Sequence, residues 1–349
     1  MALRSWIRNV FVGSNGRGTA AAKKAKRLHL SLECLEERAV PAGFFNVQDI
    51  LAQVHDGLTG FHKTGDFDVG AYNPQLVAVG SFNSNYDNTP DLFVTNADGS
   101  YSVLLGDGAG HFSFTQGPQI WGIKVPVSFG GVSEIDGLRG SDGNLTAYPE
   151  GLATGDFNGD GRTDVAVAAY GNPTGAVKVL FGNGNGQFVV GYSLELPAGT
   201  GPTYLSAADL DKDGHTDLVV SDFNGNKVLI YRNLGGGSFE LNDYNYQQNG
   251  VSNPEQTVVA DFDGDGNLDI AVANNGNGSV SLFRGLGGGK ITSAGSYLVQ
   301  ANSPVGLAAG DLNGDGVPDL AVASYGKTDG SGTLSLLQNT STPDRKSVV

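Results

Sequence analysis

Hydrophobic residues in this chain gather in short unbroken runs, each placed directly behind an acidic, glycine-rich stretch. The runs are Val165-Ala166-Val167-Ala168, Leu218-Val219-Val220, Ile270-Ala271-Val272-Ala273 and Leu320-Ala321-Val322-Ala323. They lack the polar alternation of a strand with one wet face, so they predict strands buried on both faces. Ahead of them, Gly155 to Asp164, Ala208 to Asp217, Ala260 to Asp269 and Gly310 to Asp319 align without gaps, with their first aspartates 53, 52 and 50 residues apart. A fixed period of about 50 residues predicts a repeat architecture.

Each unit continues into a hairpin. Val177 to Phe181 turns through Gly182 to Gly186 into Phe188 to Val190. Val228 to Tyr231 is followed by Gly235-Gly236-Gly237, and Val280 to Phe283 by Gly287-Gly288-Gly289. Glycine supplies the positive φ that such turns need. Pro149, Pro202, Pro254 and Pro304 stand seven residues before the leading aspartates, where a proline begins a strand without removing a ladder bond. Pro74 holds the same place ahead of Ser81 and exposes a fifth, degenerate copy with strand Leu92-Phe93-Val94 and hairpin Val103 to Phe112. Asp56-Gly57-Leu58-Thr59-Gly60-Phe61 matches the hairpin turn, so residues 44 to 73 read as the outer half of another unit, able to complete the last one.

Four short antiparallel strands per unit hide their apolar faces by packing unit on unit around an axis, which predicts an all-β propeller of four-stranded blades. The repeats lie near 74–117, 149–190, 202–240, 254–292 and 304–338, with an insert at 118–148. Small residues such as Ala166, Ala271 and Ala321 suit strands near a crowded axis. The 54 glycines and a charged fraction of only 16% agree with many tight turns. No run of about 18 apolar residues is present to span a membrane. Eight of the 21 basic residues fall in the first 38, leaving 13 basic against 33 acidic beyond, a balance that repels nucleic acid and anionic membrane surfaces.

The acidic stretches follow D-x-[DN]-x-D-G-x-x-D. Alternate positions direct side-chain oxygens inward, the seventh offers its backbone carbonyl, and glycine at the sixth allows the bend. The proposed ligands are Asp156, Asn158, Asp160, Arg162 and Asp164; Asp209, Asp211, Asp213, His215 and Asp217; Asp261, Asp263, Asp265, Asn267 and Asp269; and Asp311, Asn313, Asp315, Val317 and Asp319. Arg162, His215, Asn267 and Val317 enter through their carbonyls alone. Dense hard oxygen ligands suit Ca2+, giving about four sites, and without cations the clustered carboxylates repel one another. An EF-hand needs an acidic twelfth position and a helix behind it, whereas Val167, Val220, Val272 and Val322 stand there inside strands. Ser81 replaces the first aspartate of the degenerate copy and Asp91 falls two places late, so no tight site is expected there.

Loop, following D-[LIV]-x-V strand and period together resemble the FG-GAP/VCBS repeat of integrin-α-like propellers over roughly residues 44 to 340. The resemblance implies structural calcium and an adhesive or recognition role. Leu32 to Ala42, with Leu32-Glu33, Leu35-Glu36, Arg38 and Pro41-Ala42, resembles the leader of large bacterial surface proteins, which implies that residues 1–43 serve export. Asp344 to Val349 coincides with the translation of a common sequencing adapter, so 341–349 is expected to be an artefact and the natural chain to continue.

The expected role is a monomeric extracellular or cell-surface module that binds a protein or glycan, without nucleic acid or membrane insertion. Trp121, Ile123, Val125, Phe129 and Arg139 in the insert are its candidate contacts. A propeller domain of a secreted calcium-dependent polysaccharide lyase or hydrolase, or a passive spacer, are the alternatives. No G-x-S-x-G elbow or paired-histidine motif supports catalysis, and His29, His55, His62, His111 and His215 are scattered.

Overall fold

The computed structural model describes residues 73–83, 89–109, 111–114, 132–135, 138, 147–171, 175–242, 250–299, 303–325 and 332–340, plus a two-residue ladder of β1 (Ser5–Trp6) with β2 (Glu36–Glu37). Apart from that ladder, the readings of 1–43, of 44–72 and of the tail from 341 lie outside the described residues.

Five antiparallel sheets follow one another as blades. Blade one holds β3 (Pro74–Gly80), β4 (Asp91–Asn96), β5 (Ser100–Gly106) and β6 (Phe112–Phe114), with β7 (Val132–Glu134) also paired to β5. Blade two is β8 (Ala147–Gly155), β9 (Asp164–Gly171), β10 (Ala176–Gly182) and β11 (Phe188–Ser193). Blade three is β12 (Pro202–Ala208), β13 (Asp217–Asp222), β14 (Lys227–Asn233) and β15 (Phe239–Leu241). Blade four is β16 (Pro254–Ala260), β17 (Asp269–Asn274), β18 (Ser279–Gly287) and β19 (Lys290–Leu298). Blade five shows β20 (Ser303–Gly310), β21 (Asp319–Tyr325) and β22 (Thr333–Leu337). No helix occurs among the described residues, and none there is long and apolar enough to cross a membrane.

The unbroken apolar runs are explained by the packing. In β9, Val165, Val167 and Ala169 enter the core shared with blade one, while Ala166 and Ala168 enter the core shared with blade three. In β13, Leu218 and Val220 face blade two and Val219 faces blade four. The second strand of a blade therefore feeds two cores at once, and neither face tolerates a polar residue.

The first strand, not the alanine-rich second, is innermost: β3, β8, β12, β16 and β20 touch in succession. Alanine serves instead where the next blade packs close. In every blade the pairing of the first two strands slips just after the proline, between Pro74 and Leu76, Pro149 and Gly151, Pro202 and Tyr204, Pro254 and Thr257, and Pro304 and Gly306. Such a bulge turns backbone and polar side chains toward the neighbouring blade. Thr203 Oγ1 accordingly donates to the Pro254 carbonyl at 3.0 Å, and Gln256 Oε1 accepts the Leu307 amide at 3.0 Å. Gly151 is required by the same crowding, since a Cβ there would stand 2.8 Å from the Tyr204 Cα.

The described part of the insert is structural. β7 lies along the half of β5 that β6 leaves open, and Ile135 and Leu138 are buried in the first core. Trp121, Ile123, Val125, Phe129 and Arg139 lie outside the described residues.

Candidate metal centres

Each acidic loop joins the first strand of a blade to the second, and its own side chains shape it. Asp156 Oδ1 accepts the amides of Gly159 and Asp160 at 2.8 and 3.1 Å, and its Oδ2 accepts that of Gly161 at 2.8 Å. Asp311 repeats the pattern with Gly314, Asp315 and Gly316, and Asp209 and Asp261 take the amides of Gly214 and Gly266 at 3.0 and 2.9 Å. The third-position oxygens of Asn158, Asp211, Asp263 and Asn313 accept the amide two residues on. The fifth-position carboxylates of Asp160, Asp213, Asp265 and Asp315 do the same with the amides of Arg162, His215, Asn267 and Val317. Nested Asx turns thus wind the loop around its oxygens.

This winding demands two left-handed residues. Glycine fills both in three loops, at Gly159 and Gly161 (φ 77 and 82°), Gly264 and Gly266, and Gly314 and Gly316. In blade three the first of them is Lys212, at φ 63°. The sixth-position glycine was legible in the motif; the demand at the fourth was not, because lysine breaks the pattern there.

The ninth-position aspartate is the buried member. Asp164 Oδ2 accepts the Phe157 amide at 2.9 Å and Oδ1 accepts the Gly182 amide at 2.8 Å, so one carboxylate ties the loop to the end of the third strand. Asp217, Asp269 and Asp319 tie Leu210 to Asn233, Phe262 to Gly285, and Leu312 to Asn339. Asp91 makes the same clasp between Phe82 and Gly106, at 2.7 and 2.9 Å, despite its two-residue displacement along the chain. Residues 84–88 of that degenerate loop lie outside the described residues. Asp164 Oδ2 accepts a second amide as well, that of Asn158 at 3.2 Å, and Asp91 Oδ2 that of Asn83 at 3.1 Å.

Burial pushes the Asp164 and Asp217 carboxyls up to about 6, and raises Asp269 as well. Asp211 is raised by burial and by the charge of Asp213. The Asn267 amide and the Arg284 guanidinium hold Asp265 below the ordinary carboxylate range. For Asp311, burial acts upward but the amides of Gly314, Gly316 and Asp315 prevail and lower it.

Carboxylate oxygens of Asp209, Asp211 and Asp217 come within 4.8 Å of one another, as do those of Asp261, Asp263 and Asp265. An all-oxygen, mostly anionic donor set of this spacing fits a hard divalent ion. In blades two and five the third-position amides turn their nitrogens onto the fifth aspartate, Asn158 to Asp160 at 3.3 Å and Asn313 to Asp315 at 2.9 Å. Two arginines that the motif does not contain also enter the acidic loops. Arg284 pairs with Asp263 and Asp265 at 2.6 and 2.9 Å, and Arg232, at the same hairpin position one blade earlier, stands 3.8 Å from Asp211.

The FG-GAP-like repeat family model matches residues 156–220, 210–272 and 261–322. Mouse (Mus musculus) integrin alpha-IIb is 36% identical over 86 residues, covering 22% of this chain and 8% of that protein. Cartilage acidic protein 1 of Xenopus tropicalis is 27% identical over 194 residues, covering 51% of this chain and 29% of that protein. Phosphatidylinositol-glycan-specific phospholipase D of Rattus norvegicus is 30% identical over 164 residues, covering 38% and 19%. The alignments thus span less than a third of these relatives' own lengths. Each family match runs from one acidic loop to the buried strand of the next blade, which is the unit that the packing and the clasps define. From Asp156 to Val322 the chain is a tandem of matches to the FG-GAP-like repeat, carried on an all-β propeller of five blades.

Proposed function

We propose that this propeller is an extracellular recognition or adhesion module whose blade corners are held by calcium. The observation that carries the reading is the repeated loop: four chain segments wind their amides onto the leading aspartate, and in blades three and four three carboxylates gather within 4.8 Å. Asp156, Asp160 and Asp164 with Asn158 would hold one ion, and the equivalent residues of the next three blades the others. The carbonyls of Arg162, His215, Asn267 and Val317 complete the donor set. A bound cation neutralises the loop and joins it to the clasp, stabilising the folded form by mass action. Millimolar extracellular calcium suits sites of this exposed kind.

Binding rather than catalysis is favoured because the conspicuous carboxylates are already engaged by loop amides. The resemblance to an integrin alpha chain supports a protein or glycan partner, and the acidic surface argues against nucleic acid. Calorimetric calcium titration of chelator-treated protein tests the metal reading, with about four equivalents and a raised melting temperature expected. An unchanged melt with no heat of binding defeats it. Glycan and extracellular-protein arrays probed in calcium test the recognition role.

A further inference from the structure

The blades repeat one plan, so residues can be compared at places that the structure fixes, and the clasp supplies one. Gly182, Asn233, Gly285 and Asn339 give their backbone amides to Asp164, Asp217, Asp269 and Asp319. The residues directly before them are Phe181, Arg232, Arg284 and Gln338, and the third positions of the matching loops are Asn158, Asp211, Asp263 and Asn313. Arginine therefore stands at the hairpin in the two blades whose third position is aspartate. The two blades with asparagine carry another residue there.

A shared acceptor explains the co-occurrence. In blades two and five the asparagine turns its own Nδ2 onto Oδ2 of the fifth-position aspartate, Asp160 or Asp315. An ionised aspartate in the third place has no N–H to give. In blade four Arg284 supplies the donor instead: Nη2 meets the equivalent Oδ2, on Asp265, at 2.9 Å, and Nε stands 2.6 Å from Asp263 Oδ2. One guanidinium thus replaces the amide and also offsets the added charge. Blade three is looser, since Arg232 is divided between Asp211 at 3.8 Å and Glu240 at 3.4 Å. In blade two Phe181 packs against Gly191 and Gly237, and Arg162 pairs with the fifth-position Asp160 at 3.1 Å from within the loop.

We propose that Arg284 and, more weakly, Arg232 are tethered counter-cations of the two loops with four carboxylates, and that each gives up its third-position aspartate when a divalent ion takes the loop. The inference rests on the calcium reading above. It divides the sites into two kinds: in blades three and four a hairpin arginine must leave the third position, and in blades two and five a neutral amide must turn there. Water can receive the displaced groups, because the Arg232 and Arg284 side chains are 42 and 47% exposed. Until then each arginine relieves the repulsion among its clustered carboxylates.

The test is nuclear magnetic resonance of the nitrogen-15-labelled full chain, following the Nε–H signal of Arg284, assigned by its loss in Arg284→Lys. In chelator this proton should exchange slowly with water, and Asp263→Asn should restore the fast exchange of an exposed arginine. Fast exchange in the parent overturns the pairing whatever calcium does. Added calcium chloride should then speed the exchange in step with the shift of the Gly266 amide, which reports filling of the blade-four loop. A Gly266 shift with Arg284 unmoved overturns the proposal and leaves the calcium reading standing. No calcium-dependent shift at Gly159, Gly214, Gly266 or Gly314 overturns both. Arg284→Gln should lower the calcium midpoint at Gly266 by about two- to fivefold, and Arg232→Gln that at Gly214 by less. Unmoved midpoints in both variants would leave the arginines a merely structural role and overturn the proposal.

Discussion

The guanidinium of Arg284 donates to the carboxylate of Asp263 across 2.6 Å and to that of Asp265 across 2.9 Å, so a positive charge of the chain's own sits on an acidic loop. The pairing raises the Arg284 pKa and lowers that of Asp265. A divalent ion entering this loop must displace it. Ion pairs this open to solvent contribute little to stability. Arg284→Gln is therefore expected to tighten calcium binding at the blade-four site by about two- to fivefold and to lower the melt of the metal-free protein slightly. Titration calorimetry of the variant beside the parent measures the first, and thermal melts of both in chelator measure the second.

The ninth-position aspartate is both clasp and proposed ligand, whereas the fifth-position aspartate takes no part in the clasp, and two substitutions separate the jobs. In Asp217→Asn an NH2 group replaces one of two oxygens that accept buried amides, leaving an amide unpaired. This is expected to cost about 1–3 kcal/mol with or without calcium. Asp213→Asn leaves the clasp intact and weakens calcium binding, with little change in the metal-free melt. Chemical denaturation in chelator and in calcium distinguishes the two patterns.

Acid should act in opposite senses on the two forms. The Asp164 and Asp217 pKa values are raised to about 6 in the fold, so protonation favours the folded state. That stabilisation is complete below the unfolded carboxylate value of about 4 and is lost as pH rises through about 6. The metal-free protein is expected to melt higher at pH 5 than at pH 7.5, and the increment given by calcium to be larger at pH 7.5. Melts across this range, with and without calcium, give the sign directly.

Gly161 has φ 82° and nothing within 4 Å of where a Cβ would lie. Gly161→Ala strains only the backbone and should destabilise by about 1 kcal/mol. Lys212 already bears such strain at φ 63°, so Lys212→Gly should raise or preserve the melt. Thermal unfolding of the pair checks both signs.

The loops and buried strands were legible because the repeat writes them four times, and because a strand feeding two cores admits only apolar residues. Other features escaped for physical reasons. Asp91 falls outside the nine-residue frame, yet it meets the same two amides, since a clasp is fixed by where the third strand ends and not by spacing along the loop. Arg284 reaches its loop from two strands away, and nothing in the motif marks it. Val132 to Glu134 is too short to read as a strand; it forms one because the three-residue β6 leaves part of β5 unpaired. Alanine was placed near the axis, but its role is set by the approach of the next blade.

The seams also bear on how such a chain can grow. Phe157 closes on Phe239 and Leu210 on Ile291, so each seam is written half in one period and half in the next. A duplicated stretch of gene that begins and ends at equivalent points of two loops inserts a new period with matching halves on both sides. What must be kept in such growth is the whole period, since a fraction of one leaves a seam with a single half.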